Sequence, residues 1–445
     1  MLFGASPELW AIPANTRLFC ESYPATALCR NGATSCQSCH TAAPELNSFG
    51  GDLQQSLRRY ADYDRSPAAF QKYLGSALKA IEGKDSDGDT FGNRQEIDAG
   101  TAPGDPYQYP GAAGRLVYDN ERAWRRIHLL FCGESPDLEA TREQQARSPQ
   151  EQKAALHQAL DACLQSEFWQ KQALPHLADE KIRPVKAVGI EGDPFVIGDF
   201  YYDYRLFSYV LSADRDMREL LTAQYHIDAQ GQRVEGPIPD TPIKGKIVVG
   251  DGQPLAVERR YGMITTQWFL SSNTMFAELP RNTASQAYRA YLGLDIAKSE
   301  GLYPVSNEPR DVDHKGVQAE ACAFCHSTLD PLAYAFSPYL GLRSFGTRLP
   351  VGAYHPGRKQ WEADGWLMGE PVLDLGDWVQ KAVDSDAFKL QLTRMLMSYA
   401  IGHKPQSLQE QKDLARLWPT LPSLNFSAHR MLHALIDTLS FAGRD

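Results

Sequence analysis

The sequence predicts a mainly α-helical, multidomain protein, and three observations carry that expectation. At 445 residues the chain is too long for one ordinary hydrophobic core. Its clearest periodic stretches repeat apolar residues at helical spacing: Trp124, Ile127 and Phe131; Leu156, Leu160 and Cys163; Phe388, Leu392, Met395, Leu396 and Tyr399. Only KGKIVVGDGQPLAVERR, at 244–260, has two β-prone runs around a Gly-Asp-Gly turn, and it reads as a small β-hairpin.

Composition excludes several function classes. With 43% hydrophobic and 22% charged residues the chain has the make-up of a folded, water-soluble protein. A net charge of -10 argues against nucleic acid and anionic membrane surfaces, which need clustered Lys and Arg, and suits a protein partner with a basic docking surface. No apolar run approaches the ~18 residues of a transmembrane helix. The start, MLFGASPELWAIPANTR, has no basic segment followed by an apolar one, so no export signal is visible in this numbering.

A first unit is expected over 1–112. It holds SCQSCHTAAPELNSFG, in which Cys36 and Cys39 are followed by His40. A second C-x-x-C-H, Cys322, Cys325 and His326, recurs in ACAFCHSTLDP. Chance predicts on the order of 0.004 copies in a chain of this composition, so two copies point to chemistry. In this spacing each cysteine can form a thioether to one haem vinyl group, and the histidine is held beneath the iron as proximal ligand. A redox dithiol would follow a strand in a βαβ unit, and this context is loop-like. A zinc site would need further ligands, for which only Cys20 and Cys29 lie near Cys36. The expectation is two covalently bound haem c groups.

A helix capped at Ser66-Pro67 and running to about Glu82 precedes DSDGDTFGNRQE, residues 85–96. Oxygen donors fall in the register of a twelve-residue calcium loop: Asp85, Asp87, Asp89, the Phe91 carbonyl, Asn93 and Glu96. One Ca2+ is expected, since three aspartates so close repel without a cation. The glycine usual at the sixth position is Thr90, while Gly88 occupies the fourth, which favours a tighter turn. The Pro/Gly-rich GTAPGDPYQYPGAAG then ends the unit.

A helical, aromatic-rich middle domain is expected over 113–258. Its second long helix opens with the capping box Ser148-Pro149-Gln150-Glu151. Cys132 and Cys163 bracket this helical pair, and Cys20 and Cys29 bracket a short loop. Read as disulfides, they indicate an oxidising compartment, and the longer one contributes roughly 3–4 kcal/mol; the alternative is buried thiols. The run FYYDYRLFSYVL reads as core packing, with a haem edge as the alternative. The C-terminal domain, 259–445, carries the second motif and the helices FKLQLTRMLMSYAIG and SAHRMLHALIDTLSF. In the latter, His429 and His433 are spaced to share a metal, though a solvated helix edge is the plainer reading.

Five stretches, RAWRRIHLLFCGESPDLEA…LHQALDACLQSEFWQK, MRELLTAQYHID, RRYGMITTQWFL, VQAEACAFCHSTLDPLAYAFSPY and LTRMLMSYAIGHKP, resemble, in the same order, segments of the planctomycete-type cytochrome c domain families. The resemblance covers most of 115–441 and is most specific around Cys322–His326, followed by Asp330-Pro331, Tyr334 and Phe336. CQSCHTAAPELNSFGGDL is similar to small c-type haem domains with P-x-L-N-x-F-G after the motif. The resemblance implies mostly helical haem proteins of the periplasm or cell surface, with no agreed reaction. Related chains often end Y-A-x-G in arginine where this one has His403, which makes His403 a candidate ligand.

A closed electron-carrying haem needs a second axial ligand, usually Met or His. Residues 2–127 contain no histidine besides His40, and no methionine follows Met1 before Met217. The second haem has the candidates Met263, Met275, His314, His355, Met368, Met395 and His403. The reading is therefore a periplasmic or extracellular dihaem electron carrier; the alternative is a dihaem peroxidase or oxygenase with one open iron and unassigned catalytic residues.

Overall fold

A computed structural model describes residues 13–29, 34–35, 38–42, 45–63, 67–106, 108–111, 116–192, 194–342, 351–358 and 365–444. Cys36 and the cap Ser66 lie outside these residues. The described chain is mainly helical, and its strands are two or three residues long. It divides into two compact units, one of 1–119 with 404–413 and 438–445, the other of 120–403 with 414–437.

In the first unit the helices Pro13–Ser22, Ser48–Leu57, Pro67–Ala80 and Asn93–Ala99 surround a core of Phe19, Phe49, Leu53, Phe70, Leu74, Leu78 and Ile97. The stripe Phe70, Leu74, Ala77, Leu78 repeats at helical period, which is why Pro67–Ala80 buries that face. Cys20 and Cys29 are joined, with S–S 2.00 Å. The last residues return to pair Gly443–Arg444 antiparallel with Val117–Tyr118.

In the second unit, Asn120–Ile127 continues through a wider turn, His128–Cys132, that brings Cys132 to Cys163 at S–S 2.03 Å. The partner helix Pro149–Leu164 starts as its capping box predicts: Ser148 Oγ accepts from the Glu151 N–H, and the Glu151 carboxylate accepts from the Ser148 N–H. Ile127, Phe131, Leu156, Leu160 and Cys163 are all buried. Asp386–Ile401 ends at Gly402, whose φ of 85° suits the left-handed cap. The aromatic run forms the helix Tyr201–Leu211, with Phe200, Leu206 and Phe207 in the core.

The expected hairpin at 244–260 does not form. Ile247–Val248 pairs in parallel with Phe195–Val196, and Gln253 bridges Ile238. The Gly-Asp-Gly turn is tied elsewhere: the Asp251 and Gly252 N–H groups donate to Asp240 Oδ1, and Asp251 Oδ1 accepts from Thr241. Pro254 cannot donate to a returning ladder, and Val257–Arg259 coils into a 3-10 turn instead. Antiparallel pairs occur at His226–Ile227 with Arg233–Val234 and at Gly365–Leu367 with Glu370–Val372.

Candidate haem and metal sites

The second C-x-x-C-H motif opens the helix Glu320–Tyr334. Positions 322, 325 and 326 are spaced i, i+3, i+4, so both thiols and the imidazole share one helical face. Cys322 is exposed and Cys325 half-buried, neither is in a disulfide, and burial pushes the Cys325 thiol pKa up. One turn on, Asp330 Oδ1 lies 2.8 Å from His326 Nδ1. Asp330 is fully buried, and Arg281 supplies its counter-charge through Nε and Nη2, at 2.6 and 2.8 Å. The same guanidinium grips Asp313 at 2.6 and 2.8 Å. Burial opposes the Arg281 charge, but hydrogen bonds and charges from Asp330 and Asp313 outweigh it and raise its pKa.

This arrangement fits a proximal ligand. A carboxylate accepting from Nδ1–H leaves Nε2 with its lone pair, the atom a haem iron would take, and makes the ring more basic. Asp330 is four residues after His326, so the contact was readable from helical spacing. Arg281 and Asp313 are distant in sequence and gave no such signal.

For the first motif, Cys36 lies outside the described residues. His40 is buried, on a short strand pairing with Glu45–Leu46. The following L-N-x-F-G residues have a physical role. The Asn47 N–H donates to the Cys39 carbonyl at 3.1 Å, and Asn47 Oδ1 caps the next helix by accepting from Gly50 at 2.8 Å. Gly50 lets that helix approach: a Cβ there would lie 1.9 Å from the Cys39 oxygen.

The acidic loop gathers carboxylates, several of whose oxygens lack partners among the described residues. Asp85, Asp87 and Asp89 each bring an oxygen within 4.8 Å of the others. Glu96 is fully buried, and neither of its carboxylate oxygens meets a hydrogen-bond partner among the described residues; the same is true of Asp87 Oδ2, Asp89 Oδ2 and Asn93 Oδ1. Asn93 is oriented by its amide, which donates to the Ile81 carbonyl at 2.7 Å. Burial first, then Asp87, Asp89, Asp85 and Asp105, push Glu96 up to about 9; burial and Asp89 push Asp87 up to about 6. Such a cluster of buried acceptors fits a hard cation. Thr90 adopts φ 80° and Gly88 φ 84°, so the β-branched residue does take the positive-φ place that its sequence disfavours.

Among the candidate sixth ligands, Met263 is buried; His355, Met368 and Met395 are half-buried; Met275, His314 and His403 are exposed. His355 Nδ1 is buried with no hydrogen-bond partner among the described residues. His429 and His433 do not form a solvated edge: they face His157 and Asp161. No helix among the described residues is long and apolar enough to cross a membrane. Protein-family models, curated proteins and solved structures yield no match to this chain.

Proposed function

We propose that this protein is a dihaem c-type cytochrome that transfers electrons in the periplasm or at the cell surface. The observation that carries the reading is the second motif: two thiols and an imidazole on one helical face, with the imidazole held by a buried carboxylate. Cys322 and Cys325 would hold one haem with His326 as ligand; Cys36, Cys39 and His40 would hold the other. Bound haem supplies one-electron chemistry at iron. The chain contributes orientation: Arg281 fixes Asp330, and Asp330 fixes the His326 tautomer. Asp85, Asp87, Asp89, the Phe91 carbonyl, Asn93 and Glu96 would hold one Ca2+ and brace the first unit. The two cystines support an oxidising compartment, and the charge of -10 supports a redox partner with a basic docking face. The resemblance of the five sequence segments to planctomycete-type cytochrome c domains points to the same reading, though no family model matches the chain.

One observation favours a second reading, a dihaem peroxidase or oxygenase with one open iron. A carboxylate behind a proximal histidine strengthens it as a donor and favours the oxidised metal. Optical and EPR spectra of the ferric protein, with and without cyanide and peroxide, separate the two. Low-spin signals indifferent to both additions support the carrier; a high-spin component that binds cyanide or reacts with peroxide supports the enzyme; a protein with no haem spectrum overturns both.

A further inference from the structure

Helices Pro149–Leu164 and Ala428–Ile436 each turn apolar residues inward, Leu156 and Leu160 on one, Met431, Leu432 and Leu435 on the other. Each also places two metal-capable side chains one turn apart, His157 with Asp161 and His429 with His433, and the two pairs meet. Asp161 Oδ1 is 2.9 Å from His429 Nε2 and 2.8 Å from His433 Nε2. Behind His433, its Nδ1 is 2.6 Å from His157 Nδ1, with 5° between the ring planes. His157 Nε2 is 3.1 Å from Asp437 Oδ1, and Lys153 Nζ is 2.9 Å from Asp437 Oδ2.

Counting hydrogens shows that something is missing. Asp161, His433, His157 and Asp437 form a chain of three hydrogen-bonding contacts, each of which needs a hydrogen or a cation between two lone pairs. The two neutral imidazoles of that chain carry one N–H each, whatever their tautomers. One contact is therefore lone pair to lone pair unless a further positive charge enters the cluster.

We propose that Asp161, His429 and His433 bind a divalent transition-metal ion of zinc-like chemistry, with His157 and Asp437 as the outer shell that fixes the His433 tautomer. His433 Nδ1–H donates to His157 Nδ1, and His157 Nε2–H donates to Asp437. The His433 Nε2 lone pair then points to the ion. Two imidazole nitrogens and one carboxylate oxygen suit zinc or its neighbours better than Ca2+ or Mg2+. Three protein ligands leave a position for water, and Asp161, whose side chain is 54% exposed, leaves that position open to solvent. Tetrahedral ligands at ~2.0–2.1 Å from zinc stand about 3.3 Å apart, so the present contacts need to open by roughly half an ångström. The positions are otherwise firm: the Cys132–Cys163 cystine anchors the first helix two residues beyond Asp161, and Met431 and Leu432 are buried between the two histidines. The site shares no residue with either C-x-x-C-H motif or the acidic loop.

The test is a zinc titration of the full-length protein in excess Ca2+, together with zinc K-edge absorption spectroscopy of the wild type. The wild type should take up one Zn2+ whose nearest neighbours are two imidazoles and oxygen. His433→Ala and Asp161→Asn should abolish saturable uptake, and His157→Ala should weaken it about 10–100-fold. The spectrum needs no variant, so a misfolded His433→Ala leaves the test intact. No uptake by the wild type, uptake unchanged in both Asp161→Asn and His433→Ala, or a sulfur-dominated spectrum would overturn the proposal.

Discussion

Adding Ca2+ at pH 7 to the protein stripped of divalent ions should release about 1.1 protons per ion bound. The number follows from the acidic loop. Glu96, pushed up to about 9, still holds its proton in the ion-free fold at neutral pH, and Asp87, at about 6, holds its proton a tenth of the time, about 0.1. A bound Ca2+ would take the place of those protons. The sign for stability is opposite in the two states. Unfolded, Glu96 loses its proton near the ordinary value of 4.5; folded without the ion, it does so near 9. Between those values the ion-free fold binds a proton that the unfolded chain does not, so its stability falls as pH rises. The slope approaches 1.4 kcal/mol per pH unit, or about 3 kcal/mol between pH 4.5 and pH 7. Saturating Ca2+ should remove that slope over the same range. Calorimetric titration in two buffers of different ionisation enthalpy counts the protons, and thermal melts from pH 5 to 8 with and without Ca2+ read the slope. Glu96→Gln should release almost no proton and bind Ca2+ roughly 100-fold or more weakly. Binding without proton release, or an ion-free melting point that rises with pH, would refute the reasoning.

Three further outcomes are expected. Removing the Cys132–Cys163 cystine, with its sequence separation of 31, should cost roughly 3–4 kcal/mol in a denaturant titration, and an unchanged midpoint would deny it a role in the second unit. Gly50→Ala should destabilise the first unit by about 1–3 kcal/mol, because the new Cβ meets the Cys39 carbonyl at 1.9 Å; a neutral effect by denaturation would mean that the strand can retreat. Asp330→Asn removes the carboxylate behind His326, and, with haem bound at Cys322–His326 as proposed, spectroelectrochemistry should find its potential raised by roughly 60 mV or more, if the charged hydrogen bond contributes ~1.5 kcal/mol; an unchanged or lowered potential would reject that role.

Local chemistry made much of this legible. The box at Ser148–Glu151 is a reciprocal pair of hydrogen bonds within one turn, so four letters announce it. The paired cysteines were readable because one pair closes a short loop and the other lies on helices whose apolar stripes must face each other. The Gly-Asp-Gly turn misled: its amides are claimed by Asp240, outside the segment, and no local pattern records that. Thr90 was a similar case, where the surrounding loop imposes a backbone angle its side chain resists. The His429–His433 pair was visible as an i, i+4 spacing. Its meaning depends on Asp161 and His157, 272 and 276 residues from His433, and a linear pattern cannot bring those helices together.

The most direct test of the central claim is the intact mass of the denatured, cystine-containing chain, purified from a host that exports it and matures c-type haem. Two covalent haems should raise it by two haem masses over the bare polypeptide, and a Cys322→Ala/Cys325→Ala variant should lose one of them. A mass equal to that of the polypeptide alone, with a colourless protein, would contradict the account.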